Sequence, residues 1–81
     1  MDINEAVIAI EHFVTAFTDR GYQAREVRVR PSGDDARVIK VWTDLGPNVD
    51  GAACAAWAAA LESAVTALAG GYALEIRVES L

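Results

Sequence analysis

The segment from Asp50 to Gly71 constrains the fold most, because almost every residue in it is small or apolar. In DGAACAAWAAALESAVTALAGG a single charge, Glu62, lies between Asp50 and the closing pair Gly70-Gly71. Alanine and leucine favour helix, aspartate commonly caps a helix N-terminus, and glycine commonly ends one. We therefore predict one helix within Asp50 to Gly71. Its longest uncharged apolar run is too short and too alanine-rich to span a bilayer, so we expect no membrane partner.

This helix has two different faces. The predicted inward stripe comprises Cys54, Trp57, Leu61, Val65 and Leu68, with Ala64 beside it. The outward stripe comprises Ala52, Ala56, Ala59, Ser63 and Thr66, with Ala55 beside it. A surface helix normally exposes charges, whereas small side chains let a second backbone approach closely. The outward stripe is a candidate partner-binding face; the alternative is that alanine occurs there only because it favours helix.

The remaining elements follow from hydrophobic periodicity. A first helix is predicted over Ile3–Asp19, where Ile3, Val7, Ile10, Val14 and Phe17 form one apolar stripe, with Asp2 as N-cap and Gly21 at the C-terminal end. Strands are predicted at Ala24–Arg30, Arg37–Thr43 and Tyr72–Glu79. The Pro31–Asp35 turn joins the first two strands as a hairpin.

The hairpin faces can be matched by alternation. Setting Val27 opposite Val41 and Val29 opposite Ile39 buries four β-branched residues. The other face then pairs Glu26 with Trp42, Arg28 with Lys40 and Arg30 with Val38.

Together these elements predict a single α+β domain over residues 1–81, built as a two-layer sandwich in the order α-β-β-α-β. Two helices would pack on one face of a three-stranded, mainly antiparallel sheet. This order equals a ferredoxin-like plait that lacks its first strand. We expect the third predicted strand beside the first.

Charge and cysteine content limit the function classes. The net charge of −5 argues against general affinity for nucleic acid or anionic membranes. The distribution is uneven, however, because residues 1–19 carry only acids whereas five arginines follow between Arg20 and Arg37. Cys54 is the only cysteine, so an internal disulfide is impossible and a cytoplasmic setting is expected.

The open face of the predicted sheet is a candidate nucleic-acid surface. Four basic residues (Arg28, Arg30, Lys40 and Arg77) would lie there with Trp42. Basic sheets that carry an exposed aromatic residue stack unpaired bases in several folds. Glu26, Glu75 and Glu79 interrupt the basic charge, so weak cross-strand ion pairing on a solvated surface is the alternative.

No catalytic constellation is visible. His12 falls on the solvent side of the first helix, and Cys54 falls on the inward stripe of the second without a basic neighbour. The loop aspartates do not have the spacing of a calcium loop, and turn formation and helix capping account for them. We therefore predict no enzyme activity, no cofactor and no metal.

Three functions remain open. The first is a non-enzymatic protein–protein interaction module, such as an adaptor, accessory subunit or inhibitor, that docks a protein partner or a second copy as a homodimer. It would act through the alanine-rich helix face or a sheet edge. The second is single-stranded nucleic-acid binding through the basic sheet face. The third is a small acidic inhibitor of the phage type, in which Glu5, Glu11 and Asp19 would occupy a partner's nucleic-acid site.

Overall fold

A computed structural model describes residues 2–81 and contains two helices and two sheets. The helices are α1 (Ile3–Ala16) and α2 (Gly51–Val65), and α2 continues into a 3₁₀ turn at Thr66–Ala69. The strands are β1 (Thr18–Asp19), β2 (Tyr22–Gln23), β3 (Glu26–Pro31), β4 (Val38–Asp44) and β5 (Ala73–Glu79). Both helices pack on one face of the β3–β4–β5 sheet, which confirms the predicted α+β two-layer class.

The order of the main sheet is β3-β4-β5, with β4 in the centre. β3 pairs with β4 antiparallel and β5 pairs with β4 parallel, so the sheet is mixed and not mainly antiparallel as predicted. The expectation that the last strand lies beside the first strand of the hairpin was therefore wrong. The short connection between β3 and β4 places β3 on one edge of β4. β4 is the most buried strand, and β5 pairs with its other edge after the crossover through α2.

The hairpin register differs from the prediction by two residues. Val29 lies opposite Val41, and Val27 lies opposite Thr43. On the other face Arg28 lies opposite Trp42, and Arg30 lies opposite Lys40 rather than Val38. Because side chains alternate with a period of two, a shift of two residues changes every partner and leaves every face unchanged.

The first helix ends earlier than predicted, at Ala16 rather than Asp19. Phe17 leaves the helix with extended backbone and contacts Phe13 and Trp57 with its ring. β1 and β2 then form a small hairpin, in which Arg20 and Gly21 have φ values of 53° and 81° and make the turn. Gly21 therefore serves this turn and not the helix C-terminus.

α2 begins as predicted, with the Asp50 carboxylate accepting the backbone N–H of Ala53 at 2.8 Å. Trp57, Leu61 and Val65 are buried, whereas Ala64, expected beside them, is exposed because it lies at the edge of the inward stripe. By length and composition alone, the helical segment Gly51–Ala69 would suffice to cross a membrane, although the sequence predicted an apolar run too short for this. In this fold it covers the sheet instead.

Trp57 joins three elements in the core. Its side chain is fully buried, its ring lies edge-on to Phe17 with centroids 5.3 Å apart, and its Nε1–H donates to the carbonyl of Tyr22 at 3.0 Å. The hydrogen bond satisfies the one polar atom of the indole, which a buried tryptophan requires. Trp57 thereby connects α2 to the end of α1 and to the β1–β2 hairpin.

Asp44 organises the end of the sheet. It is 3% exposed, and its Oδ1 accepts the backbone N–H groups of Gly46 at 2.8 Å and Leu81 at 3.0 Å. Those two N–H groups, Leu81 first, hold the pKa of the Asp44 carboxyl below its ordinary value of 3.8; burial opposes them and Arg25 assists them. The carboxylate therefore ties the loop after β4 to the residues after β5.

Candidate functional site

The open face of the sheet, opposite the helices, carries side chains in three cross-strand rows. Arg28, Trp42 and Arg77 form the middle row, one residue from each strand. Arg30, Lys40 and Glu75 form the next row, and Glu26 and Glu79 flank the buried Asp44 in the row on the other side. The structure thus brings together the five residues predicted for a nucleic-acid face, and it places the tryptophan between two arginines.

Trp42 is held in one orientation from both sides. Its Nε1–H donates to Glu79 Oε2 at 3.0 Å, and the other oxygen of Glu79 forms an ion pair with Arg77 Nε at 3.0 Å. The guanidinium carbon of Arg28 lies 5.2 Å from the centroid of the Trp42 ring, within the range of a cation–π contact. The half-buried ring is therefore fixed by its neighbours, while the arginines beside it remain exposed.

These side chains enclose a shallow groove of about 320 Å³. It is lined by Arg28, Arg30, Lys40, Val41, Trp42, Glu75 and Arg77. Four of the seven lining residues are cationic and one is anionic, so the groove itself is basic although the chain is acidic.

The cations of the groove differ in how far carboxylates neutralise them. Arg77 forms a 3.0 Å ion pair with Glu79, whereas the Arg28–Glu26 pair is long at 3.9 Å and exposed on both sides. Within residues 2–81, Arg30 and Lys40 form no ion pair. Exposed pairs are individually weak, so all four cations can contact a ligand anion.

Two acidic residues of this face have roles that the sequence did not suggest. Glu79 orients Trp42 and Arg77 together, and Glu75 lines the groove beside Lys40. Alternation along the last strand predicted that both would face outward. Their partners depend on the parallel β4–β5 register, for which no local signal exists.

The outward face of α2 is largely exposed, as predicted. Ala52, Ala55, Ala59, Ser63 and Thr66 are exposed, and Ala56 is half-buried. The Thr66 hydroxyl donates to the carbonyl of Glu62 and therefore serves the helix itself. α2 carries one charged residue, the exposed Glu62, which lies at the edge of this face next to Ala55.

The residues predicted for an acidic face do not form one patch. Glu5 and Glu11 are exposed on α1, but Asp19 lies in β1, where it pairs with Arg20 at 2.6 Å. His12 is exposed on α1, as predicted, and Cys54 is half-buried with its Sγ 3.9 Å from the carbonyl of Val49. Across residues 2–81, no three His, Cys, Asp or Glu side chains converge as metal ligands would.

Comparison of the chain with protein-family models, with curated proteins and with solved structures gave no match. The function is therefore argued from the geometry of the open sheet face and of the remaining surfaces.

Proposed function

We propose that this protein binds single-stranded nucleic acid on the open sheet face. Trp42 would stack on a base, and Arg28, Arg30, Lys40 and Arg77 would contact phosphates. The observation that carries the proposal is the Arg28–Trp42–Arg77 row, in which the central strand presents an aromatic ring and both flanking strands present arginine. The sequence alone favours protein association over this interaction, whereas the cross-strand register supports nucleic-acid binding.

The chemistry of the row suits an unpaired strand. Stacking of a base on an aromatic side chain contributes roughly 1–3 kcal/mol and tolerates any base, because every base has a π-face. Arg28 covers part of the ring by cation–π contact, and its exposed guanidinium can move to a phosphate when a base takes its place. The groove is shallow and open, which fits a strand that lies across the sheet.

Acidic residues outside the groove should lower the affinity for nucleic acid. Exposed acids such as Glu5 and Glu11 lie on α1, on the other side of the sheet from the groove. They reduce long-range attraction of a polyanion, and salt screens them over about 8–10 Å. We therefore expect weak binding that is measurable at low salt and depends on the groove side chains.

The test is an anisotropy titration of labelled DNA and RNA oligonucleotides at several salt concentrations. If all four groove cations contact phosphates, the slope of log K against log salt should be about −2.8, from roughly −0.7 per phosphate contact on a single strand. The variant Trp42→Leu should weaken binding about 5- to 150-fold, the equivalent of about 1–3 kcal/mol of stacking.

Charge specificity is tested by a matched pair of variants. Lys40→Glu removes a groove cation and should weaken binding and flatten the salt slope, whereas Arg37→Glu makes the same net-charge change outside the groove. Equal effects of the two variants, or no binding to any oligonucleotide at low salt, would refute the proposal.

Protein association remains the second candidate. It is supported by the exposed, uncharged face of α2, which an adaptor, subunit or homodimer could use. Ala59→Glu should abolish association through this face, with unchanged association as the contrary result. The acidic-inhibitor alternative has less support, because Asp19 is paired with Arg20 and lies outside α1.

We further propose that the protein acts by binding and without catalysis, and that it works in the cytoplasm. The supporting observation for the location is the single half-buried Cys54, which leaves the fold without a disulfide.

A further inference from the structure

β5 forms one edge of the main sheet, and its backbone groups point outward in a regular pattern. Ala73 N–H donates to the carbonyl of Arg37, and the Glu79 carbonyl accepts the N–H of Leu45, both at 2.8 Å and both toward the β4 side. Because backbone direction alternates along a parallel strand, Leu74, Ile76 and Val78 direct their N–H and C=O groups to the free edge.

The apolar side chains of β5 are also incompletely covered. Leu74, Ile76 and Val78 belong to the core face but are only half-buried, whereas Ile39 and Val41 on the central strand are 0% and 1% exposed. The edge therefore presents unpaired backbone together with part of the hydrophobic layer beneath it. An exposed strand edge of this kind is a template for pairing with another strand.

We propose that β5 pairs antiparallel with β5 of a second copy, on a two-fold axis at Ile76. Ile76 is the midpoint of Ala73–Glu79, so this register overlaps the whole strand. It sets Leu74 opposite Val78 and Ile76 opposite Ile76 of the second copy as hydrogen-bonded pairs, each exchanging two N–H···O bonds. Those pairs use the backbone groups that point to the free edge.

The charges on the open face select this register. In it Glu75 lies opposite Arg77 of the second copy, and by symmetry Arg77 lies opposite Glu75. These positions are non-hydrogen-bonded pairs, in which opposing side chains come closest. Centring the pair on Arg77 would instead set Arg77 against Arg77 and Glu75 against Glu79, and centring it on Glu75 would set Glu75 against itself.

The opposite edge of the sheet is unsuited to the same pairing. β3 ends at Pro31, which has no N–H to donate. The two registers that overlap most of β3 oppose like charges: one centred on Val29 sets Arg28 against Arg30, and one centred on Arg28 sets Arg28 against itself. A register centred on Val27 would set Glu26 against Arg28 but would overlap only Glu26–Arg28 of the strand. β5 is therefore the edge that fits a second copy.

Such a dimer has one continuous six-stranded sheet, because the two β5 strands join the three-stranded sheets of the two copies edge to edge. Opposed residues of an antiparallel pair point to the same face, so both Trp42 grooves lie on one side and both α2 helices on the other. The inference is independent of nucleic-acid binding, because it rests on the edge of β5 and not on a ligand.

The experiment is a charge swap followed by sedimentation or light scattering over a range of protein concentrations. Glu75→Arg and Arg77→Glu each oppose like charges twice in the dimer, and each should weaken self-association roughly tenfold or more, since both symmetric pairs change from attraction to repulsion. The double variant restores opposite charges and should dimerise again. A mixture of the two single variants should form a heterodimer.

Controls separate this edge from the other surfaces. Ala59→Glu should leave the dimer unchanged, and far-UV circular dichroism should show that every variant is folded. A protein that is monomeric at all concentrations overturns the proposal. A dimer that Ala59→Glu abolishes, or one that neither charge variant weakens, also overturns it. Oligonucleotide binding by the charge variants should change as well, because Glu75 and Arg77 also line the groove, so the oligomeric state alone tests this proposal.

Discussion

Replacement of Trp57 by phenylalanine should destabilise the fold more than replacement of the other tryptophan, Trp42. Trp57→Phe removes the hydrogen bond to the Tyr22 carbonyl, worth about 0.5–1.5 kcal/mol. It also leaves part of a fully buried site unfilled beside Phe17. Complete truncation of a buried aromatic residue costs about 3–5 kcal/mol, so the smaller change to phenylalanine should cost about 1–2 kcal/mol in packing.

The expected total is therefore about 1.5–3.5 kcal/mol, from a stability of roughly 4–12 kcal/mol for a chain of this size. Urea unfolding followed by circular dichroism, at one fixed protein concentration, should show a lower midpoint with an unchanged slope. In thermal unfolding the loss corresponds to about 6–28 °C for a domain of this length.

Trp42→Phe is the matched control for this prediction. Trp42 is half-buried, and its acceptor Glu79 stays hydrated and paired with Arg77 when the indole N–H is removed. This variant should cost less than about 1 kcal/mol, as is usual for partly exposed positions. If both tryptophan variants lose the same stability, the assignment of Trp57 as the residue that joins α1, α2 and the small hairpin is wrong.

Three further measurements test the end of the sheet and the start of α2. The pKa of Asp44 is lowered in the folded state, so its ionised carboxylate should stabilise the fold fully above pH 3.8 and progressively less as pH falls through the folded pKa. The difference in free energy of unfolding between the wild type and Asp44→Asn should therefore shrink over that acid range. Gly46→Ala should cost about 1–2 kcal/mol, because Gly46 has φ +88° and a Cβ would lie 3.0 Å from Arg25 Cδ; Gly33→Ala, with open space around it, should be neutral. Asp50→Ala should cost about 0.5–2 kcal/mol through loss of the N-cap, seen as a lower urea midpoint.

Much of the fold follows from local patterns. Both helix N-caps were identified from their residue type, and the carboxylates of Asp2 and Asp50 each accept the N–H three residues ahead. The face of each long strand was also predicted, because alternation is a property of the strand alone. For this reason the residues predicted for the open face were correct although the predicted hairpin register was shifted by two residues.

Three features depend on information that is absent from local sequence. β1 and β2 are too short, at two residues each, for any periodicity to appear. The pairing of β5 with β4 is not encoded in β5, whose alternation fits either edge of the hairpin equally well. The hydrogen bond from Trp42 to Glu79 joins residues 37 positions apart and exists only in the parallel register.

The two strands that pair with β4 join it at different stages of folding. β3 and β4 are joined by residues 32–37 alone, whereas residues 45–72 separate β4 from β5. Closing the longer loop costs more chain entropy, and pairing of distant segments slows folding. We therefore expect the hairpin with α1 to form first and β5 to dock last. Until it docks, the free edge of β4 offers the same pairing site to β5 of another molecule, so this interval favours exchange of the strand between chains.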